Sequence, residues 1–304
     1  MNEFDYIQWL RQRISANPRV ILGPGDDAAA LDWPTARPCL VTTDMLMDGV
    51  DFILAEAGPK RVGRKAMAAS LSDIAAMAGR PVAAVVAVAL PKHGGETLAH
   101  NLYLGLREMA DAFDTALVGG DTNTWDGPLV ISVTVLGETV GRGMVNRAGA
   151  KPGDWLMTTG SFGGSILGRH LDFTPRVREA IKLNELVELH AMIDVSDGLS
   201  ADVHHLCEES HCGAILIAES IPISDAARSL TDGRSPLEHA LSDGEDFELA
   251  FAVAPSDGER LLRDQPFSNV SLTRIGEFAT EGFWIEEGGI RRALQPSGWV
   301  HKMD

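Results

Sequence analysis

Cysteine is nearly absent from this 304-residue chain. The three copies, Cys39, Cys207 and Cys212, are too few and odd in number for a disulfide scaffold, and they fit a reducing cytoplasm. Positive charge is short as well: 26 Lys and Arg face 43 Asp and Glu, for a net charge of −17. Phosphate backbones and anionic membrane surfaces repel such a chain, so neither nucleic acid nor membrane is an expected partner. No run approaches the roughly 18 apolar residues of a membrane span. Met1-Asn2-Glu3-Phe4-Asp5 is acidic and lacks the basic and apolar regions of a signal peptide, which adds to the expectation of a cytoplasmic location. No Gly-Lys-Ser/Thr follows a Gly-rich loop and no His-Arg-Asp loop occurs, so P-loop and protein-kinase chemistry are excluded.

What the chain does have is apolar content for real cores (45% hydrophobic) and a length that suggests two domains. Helical spacing is read over 3–14, 63–78, 96–113, 164–171, 176–190 and up to about His211, with a shorter helix at 237–241. Strands are read at 39–43, 81–90, 116–118, 129–136, 154–159, 192–193, 214–218, 247–253, 272–278 and 283–286. The near-continuous apolar run around Val82, Val85, Val86 and Val88 reads as a strand buried on both faces. Gly141 to Gly153 is rich in Gly and basic residues and ends in Pro152-Gly153. It marks a boundary between an N-terminal α/β domain at 1–140 and a C-terminal α/β domain at 141–304.

The recurring unit is a strand, then Gly and Asp, then a helix. The first instance, Gly23-Pro24-Gly25-Asp26-Asp27, presents adjacent carboxylates from a tight loop. They repel one another unless a cation or a donor offsets them, and a helix cap at Ala28 is the competing reading. Asp27, Asp44, Asp121, Asp194 and Asp197 sit on loops beside Gly or at strand ends, and Asp73 on a helix face of small residues. Together they point to a multi-ion Mg²⁺ site, because Mg²⁺ takes carboxylate oxygens and shares its coordination with substrate phosphates. Arg147 and Lys151 offer phosphate contacts or lie on a solvated linker. Gly160 to Ser165 reads as a plain turn, or as a cradle of N–H groups for phosphate. His204, His205, Cys207, His211 and Cys212 lack paired zinc-ligand spacing on one helix face and read as ordinary core and surface residues.

Seven stretches occur in one order: Gly23-Pro24-Gly25-Asp26-Asp27-Ala28-Ala29, Thr42-Thr43-Asp44-Met45-Leu46, Leu71-Ser72-Asp73-Ile74-Ala75-Ala76-Met77, Gly119-Gly120-Asp121-Thr122, Arg147-Ala148-Gly149-Ala150-Lys151-Pro152-Gly153-Asp154, Asp194-Val195-Ser196-Asp197-Gly198-Leu199 and Ser242-Asp243-Gly244-Glu245-Asp246-Phe247-Glu248-Leu249. This series closely resembles the bacterial thiamine-monophosphate kinase family, from Phe4 to His301. The resemblance implies the two-domain α/β (α+β) fold of the aminoimidazole-ribonucleotide synthetase-like superfamily. It implies a homodimer formed through the N-terminal sheet, and ATP in a cleft between the domains. It also implies direct transfer of the γ-phosphoryl of ATP to thiamine monophosphate. By motif match, Asp27, Thr42, Thr43, Asp44, Asp73, Asp121, Asp194 and Asp197 hold the ions. Gly120, Asp121, Arg147 and Ser196 touch ATP, and Glu245 touches the thiamine substrate. Asp44, Asp121 and Asp197 carry catalysis.

The chain departs from the family at the acceptor side. The family's Gly-Val-His-Phe is Gly49-Val50-Asp51-Phe52 here, its Asn before Leu-Ser-Asp is Ser70, and its C-terminal aromatic is Pro296, with Trp299 just after Gly298. Asp51 and Trp299 are therefore the expected acceptor contacts peculiar to this chain. A same-fold kinase with another phosphorylated acceptor and a non-catalytic nucleotide binder are the rivals. Selenophosphate-synthetase and hydrogenase-maturation relatives are disfavoured, because the first cysteine lies on a strand and the chain ends in His301-Lys302-Met303-Asp304.

Overall fold

The computed structural model describes residues 9–299 except 11, 15, 24–28, 35 and 93–94. Most of the helix expected at 3–14, and the loop carrying Asp27, lie outside the described residues. The chain divides into two compact units. The first takes the chain up to Ile74 and Gly79–Thr139; the second takes Ala75–Ala78 and the chain from Val140.

In the first unit, β1 (Val20–Leu22) and β2 (Ala30–Leu31) form an antiparallel ribbon on either side of residues 24–28. A four-stranded sheet follows from β3 (Cys39–Met47), β4 (Gly79–Pro91), β5 (Ala116–Trp125) and β6 (Val130–Thr139), in the order β3-β6-β4-β5. The short helix α1 (Leu54–Ala57) leads into α2 (Pro59–Ala76), and α3 (Gly95–Ala112) links β4 to its parallel neighbour β5. Proline opens α2, where its missing N–H costs nothing. The two long helices cross at glycines: a Cβ at Gly63 would stand 2.1 Å from the Leu102 carbonyl oxygen, and one at Gly105 1.8 Å from that of Lys60.

Strand alternation sends Leu40, Ile131, Val133 and Val135 into the core under the helices. The opposite face is different. Val20, Leu31, Trp33, Val85 and Leu136 pack against Val82, Ala83, Ala116 and Val118 at one end, but Val41 and Met45 are each 63% exposed and Ala87 is exposed. The apolar run of β4 predicts burial on both faces. Within this unit, however, Val85 to Ala89 is only partly covered: Val85, Ala87 and Ala89 lie on the open face, and Val86 and Val88 on the helix side are half-buried as well.

The second unit is a seven-stranded sheet with β7 (Trp155–Thr159), β8 (Ala191–Asp194), β9 (Gly213–Ile217), β10 (Leu249–Val253), β11 (Leu272–Ala279), β12 (Phe283–Glu287) and β13 (Ile290–Ala293). Their order is β13-β12-β9-β11-β7-β10-β8. Helices α4 (Arg169–Asp172), α5 (Val177–Leu186), α6 (Leu199–Ser210), α7 (Asp225–Ser229), α8 (Pro236–Ser242) and α9 (Pro255–Asp264) complete it. The apolar face of α6 (Leu199, Val203, Leu206, Cys207) packs on the sheet with Ile193, Leu216 and Ala250. Among the described residues no helix is long and apolar enough to cross a membrane.

Candidate active site

β3 carries two kinds of side chain because it alternates. Thr42 and Asp44 point toward α2, while Thr43 and Met45 point to the open face. On the helix side, Thr42 donates a short hydrogen bond to the Asp73 carboxylate and Ser70 donates to Asp44 at 2.5 Å. The turn after β3 brings in a third carboxylate. Asp51 accepts the Met47 N–H at 2.7 Å, and its carbonyl accepts from Lys65 Nζ at 2.5 Å. Burial pushes the Asp44 carboxyl up to about 6; Asp73 and Asp51 add to the rise and the Ser70 hydroxyl opposes it. Thr42, Asp44, Asp51 and Asp73 therefore form one crowded set of hard oxygen donors, the kind Mg²⁺ selects.

Asp121 is placed elsewhere in the sheet. It pairs across Ala87 with Ser132 and so shares the open face with Met45 and Thr43, while Gly120 pairs with Val86 on the helix side. Thr43 accepts the Thr134 hydroxyl at 2.9 Å. Gly120 is fixed by close approach, since a Cβ there would stand 2.0 Å from the Val86 carbonyl oxygen.

In the second unit β8 ends at Asp194, which is 3% exposed, and the turn continues through Ser196 and Asp197 into α6. The buried Asp202 carboxylate reaches back to the N–H groups of Asp197 and Gly198, both at 3.0 Å, and fixes the turn. Asp197, Asp202 and His205 offer ligand atoms within 4.8 Å of one another. The acidic loop 243–247 lies directly on this turn: Glu245 N–H donates to the Ser196 carbonyl at 2.7 Å and Phe247 N–H to that of Val195 at 2.8 Å. The chain returns at its other end, where Trp299 N–H donates to the Asp197 carbonyl at 2.9 Å. Asp194, Ser196, Asp197, Glu245 and Trp299, far apart in sequence, thus meet at one turn. Arg147 is exposed; the carbonyl of its neighbour Asn146 accepts the Met192 N–H of β8 at 3.0 Å, and its own carbonyl accepts from Ser210 at the far end of α6 at 3.2 Å.

Two of the sequence readings go to their plainer alternative. The N–H groups of Gly163 and Gly164 do not form an open phosphate cradle, because they already donate to the carboxylates of Asp246 (3.0 Å) and Asp243 (2.8 Å). Cys207 belongs to the core with Cys212 against it, and burial pushes its thiol up to about 12, as for inert core cysteines.

Comparison with known proteins bears on both halves. Residues 25–139 match the family model described as AIR synthase related protein, N-terminal domain, and residues 146–282 match its C-terminal domain counterpart. A thiamine-monophosphate kinase of Rhodopirellula baltica is 44% identical, over 98% of this chain and 97% of its own length. The chain belongs to the thiamine-monophosphate kinase family. The family enzyme of Escherichia coli K12 is 34% identical over 98% of both chains. A crystal structure of the Stenotrophomonas maltophilia K279a enzyme superimposes with a TM-score of 0.81 at 34% identity, covering 95% of this chain and 97% of that one. The structure of AaThiL complexed with AMPPCP and TMP superimposes with a TM-score of 0.76 at 27% identity, covering 99% and 97%.

Within this family fold, some of the groups that build the site escape sequence reasoning. Lys65 is 1% exposed and holds the Asp51 turn; the run Lys60-Arg61-Val62-Gly63-Arg64-Lys65 does not show which of its basic residues is buried. Arg169 and Arg176 act through Asp246 and Glu248, more than 70 positions away, and nothing local marks them; Asp202 acts locally, on the N–H groups of Asp197 and Gly198.

Proposed function

We propose that this chain is an ATP-dependent kinase that phosphorylates thiamine monophosphate to thiamine diphosphate. The observation that carries the reading is the meeting of Asp194, Ser196, Asp197, Glu245 and Trp299 at one turn, in a chain whose family includes a structure with AMPPCP and TMP bound.

The acceptor is itself a phosphate monoester, whose second ionisation lies near pH 6, so it is already largely ionised at neutral pH. The chain need not supply a strong general base. Its work is to align the acceptor oxygen with the γ-phosphorus, so that the new P–O bond forms as the bond to the ADP oxygen breaks, and to offset charge there. The oxygen-donor set around Asp44 fits Mg²⁺: hydroxyl and carboxylate ligands only, with a carboxylate raised to about 6 by burial and a like-charged neighbour. Thr42, Asp44 and Asp73, with Asp27, Thr43 and Asp121, would hold ions from the first unit, and Asp194 and Asp197 from the second. Bound Mg²⁺ neutralises phosphate oxygens. Gly120, Asp121, Arg147 and Ser196 are the proposed ATP contacts; Asp51, Glu245 and Trp299 are the proposed acceptor contacts.

The open face of the first sheet, with Val41 and Met45 exposed, supports a homodimer paired through that sheet. The sparse, unpaired cysteines suit a reducing cytoplasm. The test of function is ADP release from MgATP, measured with and without thiamine monophosphate. Release that depends on thiamine monophosphate is expected; release indifferent to it would overturn the reading.

A further inference from the structure

The loop 243–247 is held in a shape its own residues resist. Glu245 (φ 54°) and Phe247 (φ 50°) both lie in the left-handed region. Non-glycine residues stay there only where their surroundings over-determine them, and such sites cluster at ligand contacts. Backbone bonds fix part of the shape, through Glu245 N–H to Ser196 and Phe247 N–H to Val195. The carbonyl between the two strained residues, that of Asp246, is held by a side chain: one Arg169 nitrogen donates to it at 3.1 Å.

That same guanidinium reaches a second loop. Its other terminal nitrogen donates to the Ser161 carbonyl at 2.6 Å, and the first also donates to Glu248. Glu248 is 1% exposed, and Arg176 already grips it with a two-pronged fork at 2.7 and 2.6 Å while the Thr159 hydroxyl donates at 2.6 Å. The charge of Glu248 is therefore matched without Arg169. Arg169 also brings its charge to within 3.8 Å of the buried Asp246 carboxylate; beyond charge, what it adds is directional donors to two carbonyls on two loops, which a planar five-donor group provides and a lysine ammonium cannot reproduce. Asp246, 1% exposed, completes the tie by accepting Gly163 N–H with both oxygens at 3.0 Å.

We propose that Arg169 is a positioning residue for the phosphate-acceptor substrate: anchored on Glu248, it pins the peptide after Asp246 and so fixes the strained Glu245. The inference rests on the reading above that Glu245 touches thiamine monophosphate.

The experiment is a double-mutant cycle in KM. E245Q, R169M, R169K and R169M/E245Q are assayed with thiamine monophosphate and ATP varied separately, and each variant is melted. R169M is expected to raise KM for thiamine monophosphate about tenfold, as loss of a charge-assisted contact does, and to leave KM for ATP within about twofold. R169K should follow R169M. In the E245Q background the R169M effect should largely vanish, because the two residues act through one contact. If E245Q raises the KM for thiamine monophosphate while R169M and R169K do not, the proposal is wrong and the Glu245 reading stands. The proposal fails equally if the R169M effect multiplies in full in the double variant, or if both KM values rise together with a lower melting temperature. An E245Q variant with unchanged KM overturns the Glu245 reading, and this proposal with it. Should R169M not fold, R169K decides the matter, since it keeps the charge and loses only the fork.

Discussion

Trp299 donates its backbone N–H to the carbonyl oxygen of Asp197 at 2.9 Å, so the aromatic residue of the tail is anchored on the turn that opens α6. Gly298 makes this contact possible: a Cβ there would come within 2.5 Å of that same oxygen. Ser297 is tied in turn to Ser200, whose hydroxyl donates to its carbonyl at 2.9 Å. Trp299 remains 56% exposed.

Replacing Trp299 by Ala should therefore raise KM for thiamine monophosphate more than KM for ATP. An aromatic contact is worth about 0.5–1.5 kcal/mol beyond its area, which corresponds to a rise of roughly two- to twelvefold. An unchanged KM for thiamine monophosphate would mean that the ring only packs the tail.

Asp44→Asn and Asp121→Asn should each abolish transfer and leave the fold intact, because an amide occupies nearly the volume of a carboxylate and only the negative ligand is lost. Circular dichroism and turnover check the two halves of this statement. Wild-type turnover in either variant would remove that residue from the ion-binding set.

Stability without Mg²⁺ should fall as pH rises from about 4 to 7. Burial raises Asp44 to about 6, and Asp202 and Asp246 to about 7, whereas unfolded carboxyls ionise near pH 4. Over that interval the native state binds more protons than the unfolded state, so each added unit of pH costs stability. Melting of the ion-free protein should therefore be several degrees lower at pH 7.5 than at pH 5. D44N should reduce that difference by about 2–4 °C for each kcal/mol relieved. Equal melting temperatures at both pH values would contradict the burial of these charges.

A homodimer joined through the first sheet should dissociate in Met45→Glu, which sets a second carboxylate on the open-face row that already carries Asp121. Sedimentation at micromolar concentration should give a dimer mass for the native chain and a monomer mass for the variant. A native monomer would contradict the pairing.

Much of the architecture was legible in the sequence because periodicity is a local property. Alternating and continuous apolar runs marked β4, β6 and β10, and the Asp194–Leu199 stretch declared a strand, turn and helix start. The ion-ligand residue types were also legible, but not their placement: Asp44 and Asp121, expected at strand ends, stand inside β3 and β5, which run on to Met47 and Trp125. Strand register was not legible. One residue of offset puts Asp44 under α2 and Thr43 on the open face, and register places Asp121 on that open face too; both depend on which strand each residue pairs with. Nor did the sequence reveal that the Gly163 and Gly164 N–H groups are taken by Asp246 and Asp243, about 80 positions away. The chain alone determined which chemical groups are available and which local elements carry them. Only the tertiary structure decided which groups meet, because burial, like-charge crowding and backbone strain at Asp44, Asp246 and Glu245 arise from neighbours brought in by the fold.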